Sequence, residues 1–127
     1  MAITPTLFLT IALCGGLGAI LRFTVDTLLT ARFGSRMPWG TIVINLSGSF
    51  VLGLLTGLLT HSLLPEPWLL AVGTGLLGGY TTFSTASFDT LRLLREGRTV
   101  ASLANAFGTL FGAILAAYLG FLLATLF

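Results

Sequence analysis

The chain alternates long apolar stretches with short polar interruptions, and four stretches are long enough to cross a bilayer. A hydrocarbon core about 30 Å thick needs about 20 apolar residues in a helix. The pattern predicts helices over about 5–27, 39–60, 68–94 and 100–126, with turns at Arg32–Pro38, His61–Pro67 and Arg95–Arg98. Pro65, Pro67, Gly34 and Gly97 punctuate these turns as helix breakers should. The expected fold is an all-α membrane protein, one four-helix transmembrane domain over residues 1–127, with nothing left over for a soluble domain.

The third span departs from the pattern. Its "GLLGGYTTFSTAS", Gly75–Ser87, sets two adjacent glycines and six hydroxyl side chains (that of Tyr80 included) at membrane depth. Each glycine weakens a helix by roughly 1 kcal/mol relative to alanine. A break near Gly78–Thr82 is therefore expected, with the glycines as its cause. Broken helices at this depth occur only inside protein or beside water. They free carbonyls that can bind a cation and create helix ends whose dipoles attract ions.

Small residues recur every four positions in the fourth span, at Ala104, Gly108, Gly112, Ala116 and Gly120. Such a stripe lets another helix approach closely. Four short helices enclose little interior, so an oligomer is expected.

Composition agrees with the pattern: 55% of residues are hydrophobic and 8% charged, where a soluble domain carries about a quarter charged. A net charge of +2 without lysine is too scattered for a nucleic-acid partner. No Lys or Arg precedes Arg22, so the apolar start lacks the basic region of a signal peptide. Leu13 before Cys14 does not suit a lipoprotein site, and the segment reads as a mature transmembrane helix. All six arginines (Arg22, Arg32, Arg36, Arg92, Arg95 and Arg98) fall on the side shared by the first and third loops. The positive-inside rule then puts both termini outside.

Candidate chemistry is neutral. No span has a central Asp, Glu, Lys or His, as a proton-coupled transporter would need. His61 lies in a turn, and no close set of His, Cys or carboxylates suggests a catalytic metal. An enzyme is not expected. Arg22 and Asp26, four apart, could pair on one face; Arg22 either snorkels or concentrates anions at a vestibule. Thr41, Asn45 and Ser49 share a face of the second span, and Asn105 and Thr109 one of the fourth. An amide in hydrocarbon needs partners, so each asparagine is either interhelical glue or part of a polar path. Hydroxyl donors with Phe83 beside them suit a dehydrated anion, because an aromatic edge is positive and a site without fixed charge lets the ion leave.

"GGYTTFSTAS" resembles the "GG-x-TTFSTFS" signature of the Fluc fluoride channels, the CrcB family. "GGLGAILRF" at Gly15–Phe23 resembles that family's first helix and "PWGTIVINLSGSFVLG" at Pro38–Gly53 its second. The resemblance implies a passive, fluoride-specific channel of the cell inner membrane that lowers fluoride toxicity, built as an antiparallel, dual-topology dimer. It implies an anion pathway of Asn45, Thr82, Phe83, Ser84, Ser87 and Thr109, and a vestibule arginine at Arg22. It also implies a structural sodium ion at the dimer interface, held by the main-chain carbonyls of Gly78 and Thr81. Two features depart from the family. Ala86 stands where the signature has its second phenylalanine, and the six-to-none arginine bias does not suit one chain inserted both ways. Both a homodimer and a heterodimer with an oppositely oriented homologue remain open. The competing functions are a four-helix multidrug-type exporter, which predicts a carboxylate within "LFLTIALCGGLGAILRF", and a non-transporting membrane assembly subunit, which leaves the hydroxyl cluster without a purpose.

Overall fold

The computed structural model describes residues 3–127, and every regular element among them is helical. Helix α1 spans Pro5–Phe33 and α2 spans Trp39–Thr60. Helix α3 is one continuous run made of Glu66–Trp68, a π-helical stretch Leu69–Leu77, and Gly78–Tyr80. Thr81 and Thr82 are extended; α4 (Phe83–Arg95) and α5 (Thr99–Ala124) follow. Three helices, α1, α2 and α5, are each long and apolar enough to cross a membrane. The predicted third span is shared between α3 and α4, neither of which is long enough alone.

Helix α1 runs beyond the predicted end at Thr27, because "LLTARF" contains no breaker. Gly34 stops it with φ of 78°, a left-handed conformation that favours glycine. The first and third loops meet at one end of the molecule. Arg92 Nη1 donates to the Ser35 carbonyl at 3.3 Å, and the Arg98 guanidinium donates to the Arg36 carbonyl. Arg92 and Arg98 also pair with Glu96, at 3.4 and 3.7 Å.

Helix α2 lies along α5, α1 lies along α3, and α4 rests on α5. The α2–α5 seam needs missing side chains. A Cβ on Gly53 would overlap the Ala117 backbone, and one on Gly120 would overlap the Phe50 carbonyl. The predicted four-residue stripe coincides with this seam only at Gly112 and Gly120. Steps of four advance about 40° each around a helix, so the stripe drifts off the face. Gly120 is buried against α2, whereas Ala104 and Gly108 are exposed and nothing lies near Gly108.

The break in the third span lies inside the predicted Gly78–Thr82 window, but the glycines do not cause it. Gly78 and Gly79 are both helical. A Cβ at Gly79 would run into the Gly15 carbonyl, and one at Gly18 into the Leu76 carbonyl, so glycines let α1 and α3 touch backbone to backbone. The interruption comes from α2. Asn45 Nδ2 donates to the Thr82 carbonyl at 2.8 Å, and the Thr82 N–H donates to Asn45 Oδ1 at 2.8 Å. One side-chain amide thus pairs with both backbone groups of an extended residue. The Thr82 hydroxyl then caps α4 by accepting from the Thr85 N–H at 3.2 Å.

Two consequences can be measured. Asn45→Leu leaves both Thr82 backbone groups unpaired at membrane depth, at about 1–3 kcal/mol each; thermal unfolding in detergent should drop, and exchange of the Thr82 and Phe83 amides should rise sharply. Gly120→Val forces α2 and α5 apart and should cost about 1–3 kcal/mol by overpacking. Gly108→Ala, with open space around it, should leave the midpoint unchanged or raise it.

Candidate functional site

A groove of about 660 Å³ opens where α2, α3, α4 and α5 meet at the break. Its wall carries Asn45, Gly78, Thr81, Thr82, Phe83, Ser87 and Thr109 from the expected set. Two other expected residues lie elsewhere. Ser84 does not line the groove, and its hydroxyl lies 3.3 Å from that of Thr82. Arg22 sits beside the break rather than at a span end. Its residue lies about 16 Å short of the α1 terminus, and Nη1 approaches the Thr81 carbonyl at 3.5 Å. No ion pair joins it to Asp26 among the described residues.

The groove's polar atoms divide into engaged and free. Thr82 Oγ1 donates to Thr85 Oγ1 at 3.0 Å while accepting from the Thr85 N–H, so this hydroxyl is spent on the cap. Asn45 holds Thr82 and keeps one amide hydrogen over. Ser49, Ser87 and Thr109 line the groove and bond to no protein group among the described residues. Many lipid-side hydroxyls behave differently: Thr10, Thr24, Thr56 and Thr60 each donate to the carbonyl four residues back, at 2.8–2.9 Å. The groove thus has two open, uncommitted hydroxyls, those of Ser49 and Ser87, and no formal charge; the third, that of Thr109, is unpaired but its oxygen is buried in the wall. Phe83 stands at its rim, 88% exposed. Phe83 and Ser87, four apart on α4, face the same way.

Ala86 also lines the groove, and next to it lie Asn105 and Thr90. Sequence reasoning marks Asn105 as a polar residue needing partners but not as part of this site. It is 1% exposed, and its Nδ2 donates to Thr90 Oγ1 at 2.9 Å and approaches the Ala86 carbonyl at 3.4 Å. Its Oδ1 is buried without any partner, as is Thr109 Oγ1. A desolvated, unpaired oxygen of this kind costs about 1–3 kcal/mol. Ser49 is visible in the sequence as the next step of the Thr41–Asn45 face; Thr90 is hidden there because its neighbours are set by the α4–α5 contact.

The break also frees main-chain oxygens. In an unbroken helix the Gly78 carbonyl would accept from the Thr82 N–H, which bonds Asn45 instead. Gly78 faces open groove, with nothing near its missing side chain. No set of three His, Cys, Asp or Glu side chains is grouped to hold a metal among the described residues. A second, smaller cavity of about 330 Å³ lies beyond the first turn of α4, toward the arginine-rich end. There Thr41 donates to Asp89 Oδ2 at 3.1 Å, and Arg92 Nε lies 3.6 Å from Asp89 Oδ1. Asp26 lines the same cavity against Gly40.

Comparison with known proteins agrees with the resemblance. Residues 9–121 match the family model described as CrcB-like protein, Camphor Resistance (CrcB). The chain is 46% identical over 117 residues to the fluoride-specific ion channel FluC 1 of Leifsonia xyli, covering 92% of this chain and 85% of that protein. It is 46% identical over 118 residues to the fluoride-specific ion channel FluC of Solibacter usitatus, with 92% and 97% covered. A fluoride-specific ion channel FluC of Thermus thermophilus is 40% identical over 114 residues, with 90% and 91% covered. With three apolar membrane-length helices and a match over most of its length, this is a multi-pass membrane protein, and it belongs to the CrcB-like family.

Proposed function

We propose that this chain forms a fluoride-specific ion channel that lets the anion leave the cell passively. The observation that carries the reading is the groove at the helix break, where Ser49 and Ser87 offer uncommitted hydroxyls beside the Phe83 ring, with the unpaired Thr109 hydroxyl in the wall and no formal charge. A small anion leaving water must be met by donors strong enough to replace its hydration, yet a fixed cation would hold it too tightly for fast exit. Hydroxyls and aromatic edges supply partial positive charge without that trap. Hydrogen fluoride enters uncharged and dissociates inside; a negative-inside potential then favours exit by roughly 2.3 kcal/mol per charge per 100 mV. The curated relatives at 40–46% identity bear the same function in their names.

In this reading α3 and α4 together make the third of four crossings, and the groove is one wall of the pathway. Asn45 acts chiefly by holding Thr82, Thr82 caps α4, and Ser87 and Ser49 meet the ion; Thr109, buried and unpaired, joins them once its side chain turns toward the groove. Arg22, close to the break, biases the neighbourhood toward anions. The Gly78 and Thr81 carbonyls, both released from helical pairing, suit a hard monovalent cation such as sodium; with two oxygens per chain, the set calls for a second subunit. The Arg22 guanidinium approaches the same Thr81 carbonyl, so a cation there would displace that long contact. The second subunit is either another copy or an oppositely oriented homologue. The latter is favoured by five arginines gathered about one end of the chain, of which Arg92 and Arg98 are tied to the first loop.

An exporter driven by protons is disfavoured. The middle of α1 carries no carboxylate, and Asp26 lies in the cavity toward the arginine-rich end. An assembly subunit would have no use for free hydroxyls in a groove.

The test is anion efflux from liposomes holding the purified chain. Fluoride should leave fast, chloride far more slowly, and removing sodium should lower the fluoride rate. Equal chloride loss would refute the specificity, and full activity without sodium would refute the cation. Robust fluoride efflux from the single chain would rule out an obligate heterodimer. Ala86→Phe places a second ring on the groove wall and should raise fluoride flux; unchanged flux would mean the missing ring is immaterial here.

A further inference from the structure

We propose that Asn105 is a positioning residue that fixes the rotation of α4 about its own axis, and so sets which α4 side chains the groove receives. The inference rests on the channel reading for its consequence, but the clamp itself is independent of it. Helix α4 has little apolar anchorage, since Leu93 is its one fully buried side chain. A helix held by so few apolar contacts has no steep packing reason to keep one rotation. What holds it is polar. On the α2 side are Asn45 with Thr82 and Thr41 with Asp89. On the α5 side, Asn105 Nδ2 reaches both Thr90 Oγ1 and the Ala86 carbonyl, and Ser102 Oγ donates to the Thr90 carbonyl at 2.8 Å.

Asn105 differs from the others in where its bonds fall. Ala86 lies on the groove wall between Phe83 and Ser87. Thr90 donates to that same Ala86 carbonyl at 2.9 Å, so one amide braces the turn of α4 that carries Ser87 both directly and through Thr90. A turn of helix is about 5.4 Å of rise, so Asn105 acts within one turn of the proposed anion contacts without touching them. Its Oδ1 is buried and unpaired. A leucine of similar size would avoid that penalty, and the presence of the amide is accounted for by its donor side. Ala86 makes the brace matter more, because a small residue on the wall cannot wedge the helix as a bulky one would.

The experiment compares Asn105→Leu, Thr90→Val and Thr90→Ser with the full-length chain in lipid. Two readouts are taken: the fluoride-to-chloride efflux ratio, and hydrogen exchange of the 85–91 amides. Asn105→Leu and Thr90→Val should each lower the ratio about tenfold, the loss expected for one hydrogen bond. The double variant should lose no more than either single one, and Thr90→Ser should keep the ratio. Exchange over 85–91 should rise in the first two variants and stay unchanged in Leu103→Ala, on the exposed face of α5. An unchanged ratio and exchange in correctly assembled Asn105→Leu would overturn the clamp, as would additive losses in the double variant. If Asn105→Leu does not assemble, Thr90→Val alone decides in the same way. A wild-type chain that moves no fluoride would sink the channel reading, while the exchange data would still judge the clamp.

Discussion

The architecture turns on one pairing: the Asn45 side chain with both backbone groups of Thr82. A backbone that leaves the helix in a membrane has no water to bond to, and each unpaired group costs about 1–3 kcal/mol. A carboxamide is the smallest neutral group that presents a donor and an acceptor side by side, so it can stand in for a neighbouring strand. With Thr82 satisfied in this way, the Gly78 carbonyl is left without its helical amide. The Thr82 hydroxyl is free to cap α4, and α4 can begin in a new direction. The groove, its free hydroxyls and its loosened carbonyls all descend from that exchange.

The same logic explains why the molecule contains so much glycine near the break. The pairing needs α2 close to the third span, and α1 close behind it. Gly48 lies against Thr81 and Tyr80, while Gly79 and Gly18 let α1 and α3 meet at their backbones. The Tyr80 hydroxyl adds a 3.0 Å bond to Ser47 on the same α2 face. Packing and polarity are therefore not alternatives here. Close approach puts the amide within reach of the break, and the amide makes the break tolerable where the helices are close.

Much of this is legible in the sequence, and the failures have a common cause. The three membrane-length helices, the position of the break and the polar face of α2 are readable, because each is a local pattern: apolar length, a polar cluster, a four-residue repeat of Thr41, Asn45 and Ser49. Assigning the break to Gly78 and Gly79 fails, because a glycine's local weakness is visible in one dimension and its neighbour in space is not. Arg22 is expected near a span end, but α1 continues to Phe33 and leaves it beside Thr81. Thr82 and Ser84 look like free donors, and only the turn geometry reveals that the Thr82 hydroxyl closes a cap and that Ser84 lies against it. Asn105 is visible as a polar residue in need of a partner. Its partner, Thr90, cannot be found without the α4–α5 contact.

That pattern of success bears on how a neutral groove keeps its shape. A charged site can be held by strong ion pairs, whereas hydroxyls and ring edges need their places set to a fraction of a bond length to discriminate between anions. Here, away from the arginine-rich end, the proposed fixing is done by two asparagines, one from α2 and one from α5. Asn45 defines where the helix begins and Asn105 braces it one to two turns later, from α2 and α5 respectively. Those two helices are themselves locked together through Gly53 and Gly120. The frame that carries the amides is thus apolar and tight, and the element between them is polar and lightly packed. An ion pathway assembled in this way can stay free of charge, because the restraint on its donors is supplied by neutral amides on its own wall rather than by ion pairs.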